Sequence, residues 1–195
     1  WAASPLSLRM LERTLKLASC SDVPAAPADL DEGKAHLTTA IVLVEDGNIY
    51  LEDLDFAAQE CHTATAWATL IAENVFAGDL AWQEQFKRRF VVLPDAAFDF
   101  LCETGTEIHT RVRIDNESKA VMKGALWTEE FLPAETILTG IIQCERVFQG
   151  DGSKNGAISP SQLLEQFATQ PLTLQLGGKA TVGRGQVRCV FQEAK

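Results

Sequence analysis

An α+β fold with an antiparallel sheet is what this sequence predicts, on three observations. Helical and strand-like hydrophobic spacings are interleaved along the 195 residues. Several strand-like runs are separated only by turn residues, the pattern of hairpins rather than of βαβ crossovers. The length suits one domain, or one domain with a large inserted lobe, and no repeat or low-complexity tract interrupts it.

Ser4-Pro5 reads as an N-cap followed by proline at the first helical position; Leu6, Leu8, Met10, Leu11, Leu15 and Leu17 then carry a helix to about Ala18. Ser19 to Gly33, with Pro24, Pro27 and several acids, reads as a linker. Ala40–Val44, the turn Glu45-Asp46-Gly47 and Asn48–Leu51 predict a hairpin. Thr65–Phe76 carries a helical stripe of Trp67, Leu70, Ile71 and Val75, and Trp82–Arg89 continues in helical character. Phe90–Leu93 is a short apolar strand stopped by Pro94, after which Asp95 is expected to cap a helix through Phe98, Phe100 and Leu101. Glu107–Ile114 and Lys119–Leu126 predict strands around the turn residues Asp115-Asn116-Glu117-Ser118, and Thr136–Cys144 a further strand. Gly150–Gly156 reads as a loop, and Ser159-Pro160 starts a second capped helix through Leu163, Leu164 and Phe167. Leu172–Leu176 and Gln186–Phe191 are strands flanking a glycine-rich loop.

With 46% hydrophobic and 23% charged residues the composition is that of a globular protein. No apolar run approaches the span of a bilayer, and no basic segment leads into an apolar core at the start. The opening Trp1-Ala2-Ala3-Ser4 lacks an initiator methionine, so the chain reads as processed, trimmed or cut from something longer. Cys20, Cys61, Cys102, Cys144 and Cys189 are scattered and form no CxxC pair. That points away from structural zinc and towards reduced thiols in a cytoplasmic protein. His36, His62 and His109 are dispersed and read as surface or satisfied polar residues. A net charge of −10 counts against a nucleic-acid partner. Binding answers to the local field, however. The acids concentrate early, at positions such as Asp22, Asp29, Asp31, Glu32, Glu45, Asp46, Glu52, Asp53 and Asp55, while later segments are basic.

The most informative stretch runs Gly177-Gly178-Lys179-Ala180-Thr181-Val182-Gly183-Arg184-Gly185. Four glycines in nine residues let the backbone come close to a ligand, and Lys179 and Arg184 add charge. It is neither a Walker A loop nor a dinucleotide fingerprint, because no Gly-Lys-Ser/Thr closes it and a strand follows where a helix should begin. Two readings stand: a long turn with solvated basic residues, or a clamp on a polynucleotide backbone. In the preceding hairpin, alternation puts Arg111 and Arg113 on one face, with Lys119 and Lys123 across the turn. Such a hairpin is either ordinary solvated surface or a phosphate-tracking element, with Val121 or Met122 as an apolar wedge between bases. The pair Glu129-Glu130 is read as solvated surface rather than as a metal site.

Strand, glycine-rich loop and strand over 174–185 resemble the signature loop of RAMP proteins in CRISPR complexes. Arg111 to Thr136, with its Ala-Leu-Trp-x-Glu-Glu-x-Leu-Pro segment, and the opening Trp1-x-x-Ser4-Pro5-Leu6 helix are similar to the backbone subunit of type III-B (Cmr-type) effectors. The resemblance implies a ferredoxin-like (RRM-related) core for 1–195, lacking the family's N-terminal strand–helix part. It also implies an inserted or helical lobe at about 20–105 and a protruding thumb hairpin at about 107–136. Guide RNA and target RNA are the implied partners, together with copies of the chain in a filament and other effector subunits. Gly177, Gly178, Lys179, Thr181, Gly183, Arg184 and Gly185 would face the guide. Arg111, Arg113, Lys119 and Lys123 would serve the thumb, with Val121 and Met122 as its wedge. The family's target-RNA endoribonuclease activity depends on an aspartate upstream of anything aligned to Trp1, so no residue here is assigned as catalytic. No cofactor is expected in this chain, and a divalent metal would belong to cleavage by the complete subunit. Two other classes compete: an enzyme or binding module for a small phosphorylated ligand at the glycine loop, and a purely structural assembly partner.

Overall fold

The computed structural model describes residues 1–147 and 158–192; the loop expected at Gly150–Gly156 lies outside them. In chain order the elements are β1 (Ala2–Ala3), α1 (Pro5–Leu17), β2 (Lys34–Leu37), β3 (Asn48–Leu51), β4 (Leu54–Glu60), α2 (His62–Val75), α3 (Leu80–Lys87), β5 (Val91–Val92), α4 (Asp95–Thr104), β6 (Glu107–Ile114), β7 (Val121–Phe131), α5 (Pro160–Ala168), β8 (Leu172–Gln175) and β9 (Gln186–Cys189). The α+β class is as predicted.

The central sheet has the order β1-β5-β2-β4-β3, and here the expectation of an antiparallel sheet needs correcting. β2/β5 and β3/β4 are antiparallel, but β1/β5 and β2/β4 run parallel. The hairpin expected from Ala40–Val44 also fails. Asn48–Leu51 pairs forward with Leu54–Glu60 instead, turning at Glu52, whose φ is +55°. Only an isolated bridge, Glu45 to Asn48, remains at the Asp-Gly turn. Among the described residues the apolar run Ile41–Val44 has no strand beside it to complete a ladder. Residues 20–105, expected to form an inserted or helical lobe, supply β2 to β5 together with α2 to α4.

Alternation along the strands divides the core between the two faces of this sheet. Val92 joins Leu8, Ala64, Trp67, Ala68, Ala72, Phe76, Phe86 and Phe90 under α1, α2 and α3. Val91 joins Ala35, Leu37, Ile49, Phe56 and Leu93, against which Ala97, Phe98 and Leu101 of α4 pack. At the start of α1 the Ser4 hydroxyl accepts from Ser7 N, and the Ser7 hydroxyl reaches back to Ser4 N, a reciprocal cap. Asp95 does not cap α4, whose N-cap is Pro94; its carboxylate instead accepts from Leu6 N at 2.9 Å and satisfies a second free amide of α1.

β6/β7 and β8/β9 form two separate antiparallel ribbons. Arg188 ties β9 to the core, donating to Val75 O at 2.6 Å with its guanidinium 6.0 Å from the Phe76 ring centroid. Trp1 Nε1 donates to Glu135 O, anchoring the segment after β7. Thr136–Cys144, expected as a strand, has no ladder partner among the described residues and is irregular. All five cysteines are free thiols. Among the described residues no helix is long and apolar enough to cross a membrane.

Candidate nucleic-acid interface

The pairing register of β6 and β7 builds one face of the site. Glu107 lies opposite Phe131, His109 opposite Glu129 and Arg111 opposite Trp127. Each second residue of a strand shares a face, so these six side chains line one side of the ribbon. Onto that side comes the glycine-rich loop between β8 and β9. Lys179 takes a left-handed conformation with φ +67° and opens a single 3-10 turn over Ala180–Val182. Leu176 N donates to Gly185 O at 2.8 Å, and Gln175 Nε2 to Arg184 O at 2.8 Å, which closes the base of the loop.

Both basic residues of the loop reach carboxylates on the hairpin. Lys179 Nζ stands 2.5 Å from Glu129 Oε1, which also accepts from Trp127 Nε1 at 2.9 Å, while Arg111 Nε donates to Oε2 at 3.2 Å. Lys179 first, then the Trp127 indole and Arg111, pull the Glu129 carboxyl down to about 2. Arg184 Nη1 donates to Glu107 Oε2 at 2.9 Å, and its guanidinium lies 4.4 Å from the centre of the Phe131 ring. His109 Nε2 is 2.9 Å from Arg184 Nη2 and 3.3 Å from Glu107 Oε2. With the proton on Nδ1 the ring accepts from Arg184 at Nε2, whereas an Nε2–H donates to Glu107. The Arg184 guanidinium, followed by His109, holds Glu107 below the usual carboxylate range.

The residues predicted for RNA therefore fall into two groups. Lys179, Arg184 and Arg111 converge on the inner face and are paired there with Glu129 and Glu107. Arg113, Lys119 and Lys123 lie towards the outer end of the hairpin, exposed, and make no ion pair among the described residues. Val121 and Met122 are also exposed there, at 52% and 41%. Asp115 organises the tip by accepting from Glu117 N, Ser118 N and the Ser118 hydroxyl. A register shift between Val112 and Ile114 displaces the outer end, with Gly124 in β7 at φ +75°. Thr181 is exposed in the 3-10 turn.

Glu129 is thus no solvated acid, since its side chain is 11% exposed and accepts from three donors. Glu107, His109, Trp127 and Phe131 were equally missed as members of the site. The alternation of Glu107, His109 and Arg111 was visible in the sequence, but the partner that Glu107 and His109 share, Arg184, lies 77 and 75 residues away and was not. Among the described residues no group of three or more His, Cys, Asp or Glu side chains is placed to hold a metal ion.

Gly185 is the position where the loop tolerates least. Its φ is +73°, and an added Cβ would stand 2.0 Å from Leu176 O and 2.6 Å from Gln175 Nε2. Gly178 has nothing within 4 Å of the same position. Gly185→Ala is therefore expected to destabilise the loop by about 2 kcal/mol or more. Amide exchange over 177–185 should rise about tenfold or more, and Gly178→Ala should leave it unchanged.

Residues 26–188 match the RAMP superfamily, and the chain belongs to it. The chain is 29% identical over 197 residues to the CRISPR system Cmr endoribonuclease Cmr4 of Pyrococcus furiosus, an alignment covering 99% of this chain and 62% of that protein. The chain thus spans less than two thirds of that relative's length. Its fold is similar to the crystal structure of oligomeric Cmr4 from Pyrococcus furiosus, with a TM-score of 0.62 and 20% identity over 100% of this chain and 65% of that one. It is also similar to a chain in the cryo-EM structure of the type III-B Cmr-beta bound to cognate target RNA, with a TM-score of 0.56 and 19% identity over 95% of this chain and 58% of that one.

Proposed function

We propose that this chain is the RNA-binding part of a backbone subunit in a type III-B CRISPR ribonucleoprotein, stacking with copies of itself along the guide and supporting target-RNA cleavage in the complete subunit. The observation that carries the reading is the end-to-end match to Cmr4, 29% identity over 99% of this chain. The convergence of the glycine loop on the basic hairpin supports it physically. Loop residues Gly177 to Gly185 would follow the guide backbone, and residues 107–136 would act as the thumb over the guide–target duplex. Its outer cations Arg113, Lys119 and Lys123 would meet phosphates, and Val121 and Met122 would wedge between bases. Residues 1–195 would form one RAMP domain with a ferredoxin-like core. Base pairing would supply sequence specificity, and the protein would read phosphates and shape. No residue of this chain is assigned to cleavage chemistry.

The test is fluorescence anisotropy of single-stranded RNA with the full chain across a salt series. Phosphate contacts release counterions, so log K should fall linearly with log salt at roughly 0.7 per contact; about three to five contacts give a slope of roughly −2 to −3.5. Saturable binding of a mononucleotide with little salt dependence would instead favour the small-ligand alternative. No binding of either by a folded chain would leave the structural-partner alternative.

A further inference from the structure

We propose that Glu129, which pairs with Lys179 and Arg111, and Glu107, which pairs with Arg184, are positioning residues that keep these cations engaged within the chain until polynucleotide phosphates displace them. RNA would then bind this face by exchange of anions rather than by occupying vacant cations. The inference rests on the RNA-binding reading above and concerns how the inner face is engaged.

Three features of the geometry carry it. Glu129 bonds to groups from three places at once: Lys179 of the loop, Arg111 of β6 and Trp127 of its own strand. Its carboxylate has both oxygens occupied, so Lys179 and Arg111 already have a resident anion, while the remaining N–H groups of these half-exposed cations stay available to an incoming phosphate. Secondly, the inner face sets Arg111, Lys179 and Arg184 against Glu107 and Glu129, three positive charges against two negative, which leaves one net positive charge with His109 neutral. Such a face attracts a polyanion only weakly until its carboxylates yield. Thirdly, the outer cations Arg113, Lys119 and Lys123 are exposed and unpaired among the described residues. They offer the first contacts, after which successive phosphates on the same strand compete with Glu129 at high local concentration.

Exchange has a direction that an ordinary structural ion pair lacks. Were Glu129 only a brace, removing its charge would loosen the loop and weaken binding. Under exchange, removing the charge while keeping the shape frees Lys179 and Arg111 for phosphate. Glu129→Gln suits the test, because its amide oxygen still accepts from Lys179 and from the Trp127 indole.

The experiment measures binding of single-stranded RNA to the full wild-type chain and to Glu129→Gln over 50–300 mM salt, with amide exchange over 177–185 recorded for both. Glu129→Gln is expected to bind about 3–10-fold more tightly at 100 mM salt. Its log–log salt slope should be steeper by roughly 0.7–1.4, the increment for one or two added single-strand contacts, with the loop amides still protected. Equal or weaker binding by the variant overturns the proposal: with protected amides the carboxylate is a bystander, and with unprotected amides it is a brace. Those outcomes leave the RNA reading standing, since the wild-type chain still binds. Absence of RNA binding by both folded chains overturns the RNA reading and the exchange together.

Discussion

Lys179→Ala combined with Arg184→Ala is expected to lower affinity for single-stranded RNA by about 100-fold at 100 mM salt. Hydrogen bonds to charged groups contribute about 1.5–3 kcal/mol each when removed. Two would give roughly 10²–10⁴, and we take the lower end because both cations are already neutralised in part by Glu129 and Glu107. The loss has a second source. Without Lys179 and Arg184, Glu129 keeps only Arg111 and Trp127 and Glu107 keeps only His109, so the proposed RNA face gains negative charge, which repels the phosphate backbone. The salt slope should become shallower by roughly 1.4, the increment for two single-strand contacts. Lys34→Ala is the control, because Lys34 is paired with Asp31 at the start of β2. It removes one positive charge without touching the site, and its affinity should stay within about twofold. A double variant that binds like the wild-type chain while folded would remove the glycine loop from the interface. The thumb cations would then have to carry the binding by themselves.

The legible parts of this structure are those whose cause is local. Ser4-Pro5 and Ser159-Pro160 announce α1 and α5 because a hydroxyl, a proline and a reciprocal side chain satisfy the first amides within four residues. The turn at Asp115 to Ser118 was equally readable, since one carboxylate accepting from the next few amides defines it. Pairing across the sheet was not legible. Lys34–Leu37 is a central strand of four residues, with no β-branched side chain, and only its neighbours Leu54–Glu60 and Val91–Val92 make it one. Thr136–Cys144 errs in the opposite sense: it is rich in Ile and Thr, yet among the described residues no partner strand meets it.

The site follows the same division. The glycine loop and the basic hairpin each stood out alone, but nothing in either stretch said that they touch. Arg184 and Glu107 are 77 residues apart in sequence and 2.9 Å apart in space. Glu129 looked like half of a solvated acidic pair because its neighbour Glu130 is one: alternation turns Glu130 to the other side of the ribbon, where it accepts from the Thr106 hydroxyl. Adjacent identical residues thus have opposite environments, which composition cannot separate. The family resemblance placed both elements near RNA without revealing that the chain neutralises its own inner cations.

Trp67→Ala should cost about 3–5 kcal/mol of unfolding free energy, the range for truncating a large buried aromatic. Trp67 lies on α2 with no exposed surface, among Ala64, Ala68, Ala72 and Phe76 in the larger core. Its indole Nε1 donates to Ala25 O at 2.9 Å, so the same side chain pins the linker between α1 and β2 to the helix. Alanine there leaves a cavity and an unpaired carbonyl together, and domains of this size have only about 5–15 kcal/mol to lose. Trp82, 42% exposed and stacked on Phe76 at 5.7 Å, is the comparison, and its replacement should cost only about 1 kcal/mol. Urea unfolding followed by fluorescence measures both. The consequence reaches the proposed RNA face, because among the described residues none beyond Pro94 is buried. The ribbons that carry Glu107, Glu129 and the glycine loop have no core of their own, and Arg188 fastens them to Val75 O at the end of α2. RNA affinity in Trp67→Ala should therefore fall at the same urea concentration as the core signal. Retained binding after the core has melted would show that the two ribbons and their ion pairs stand as an independent unit.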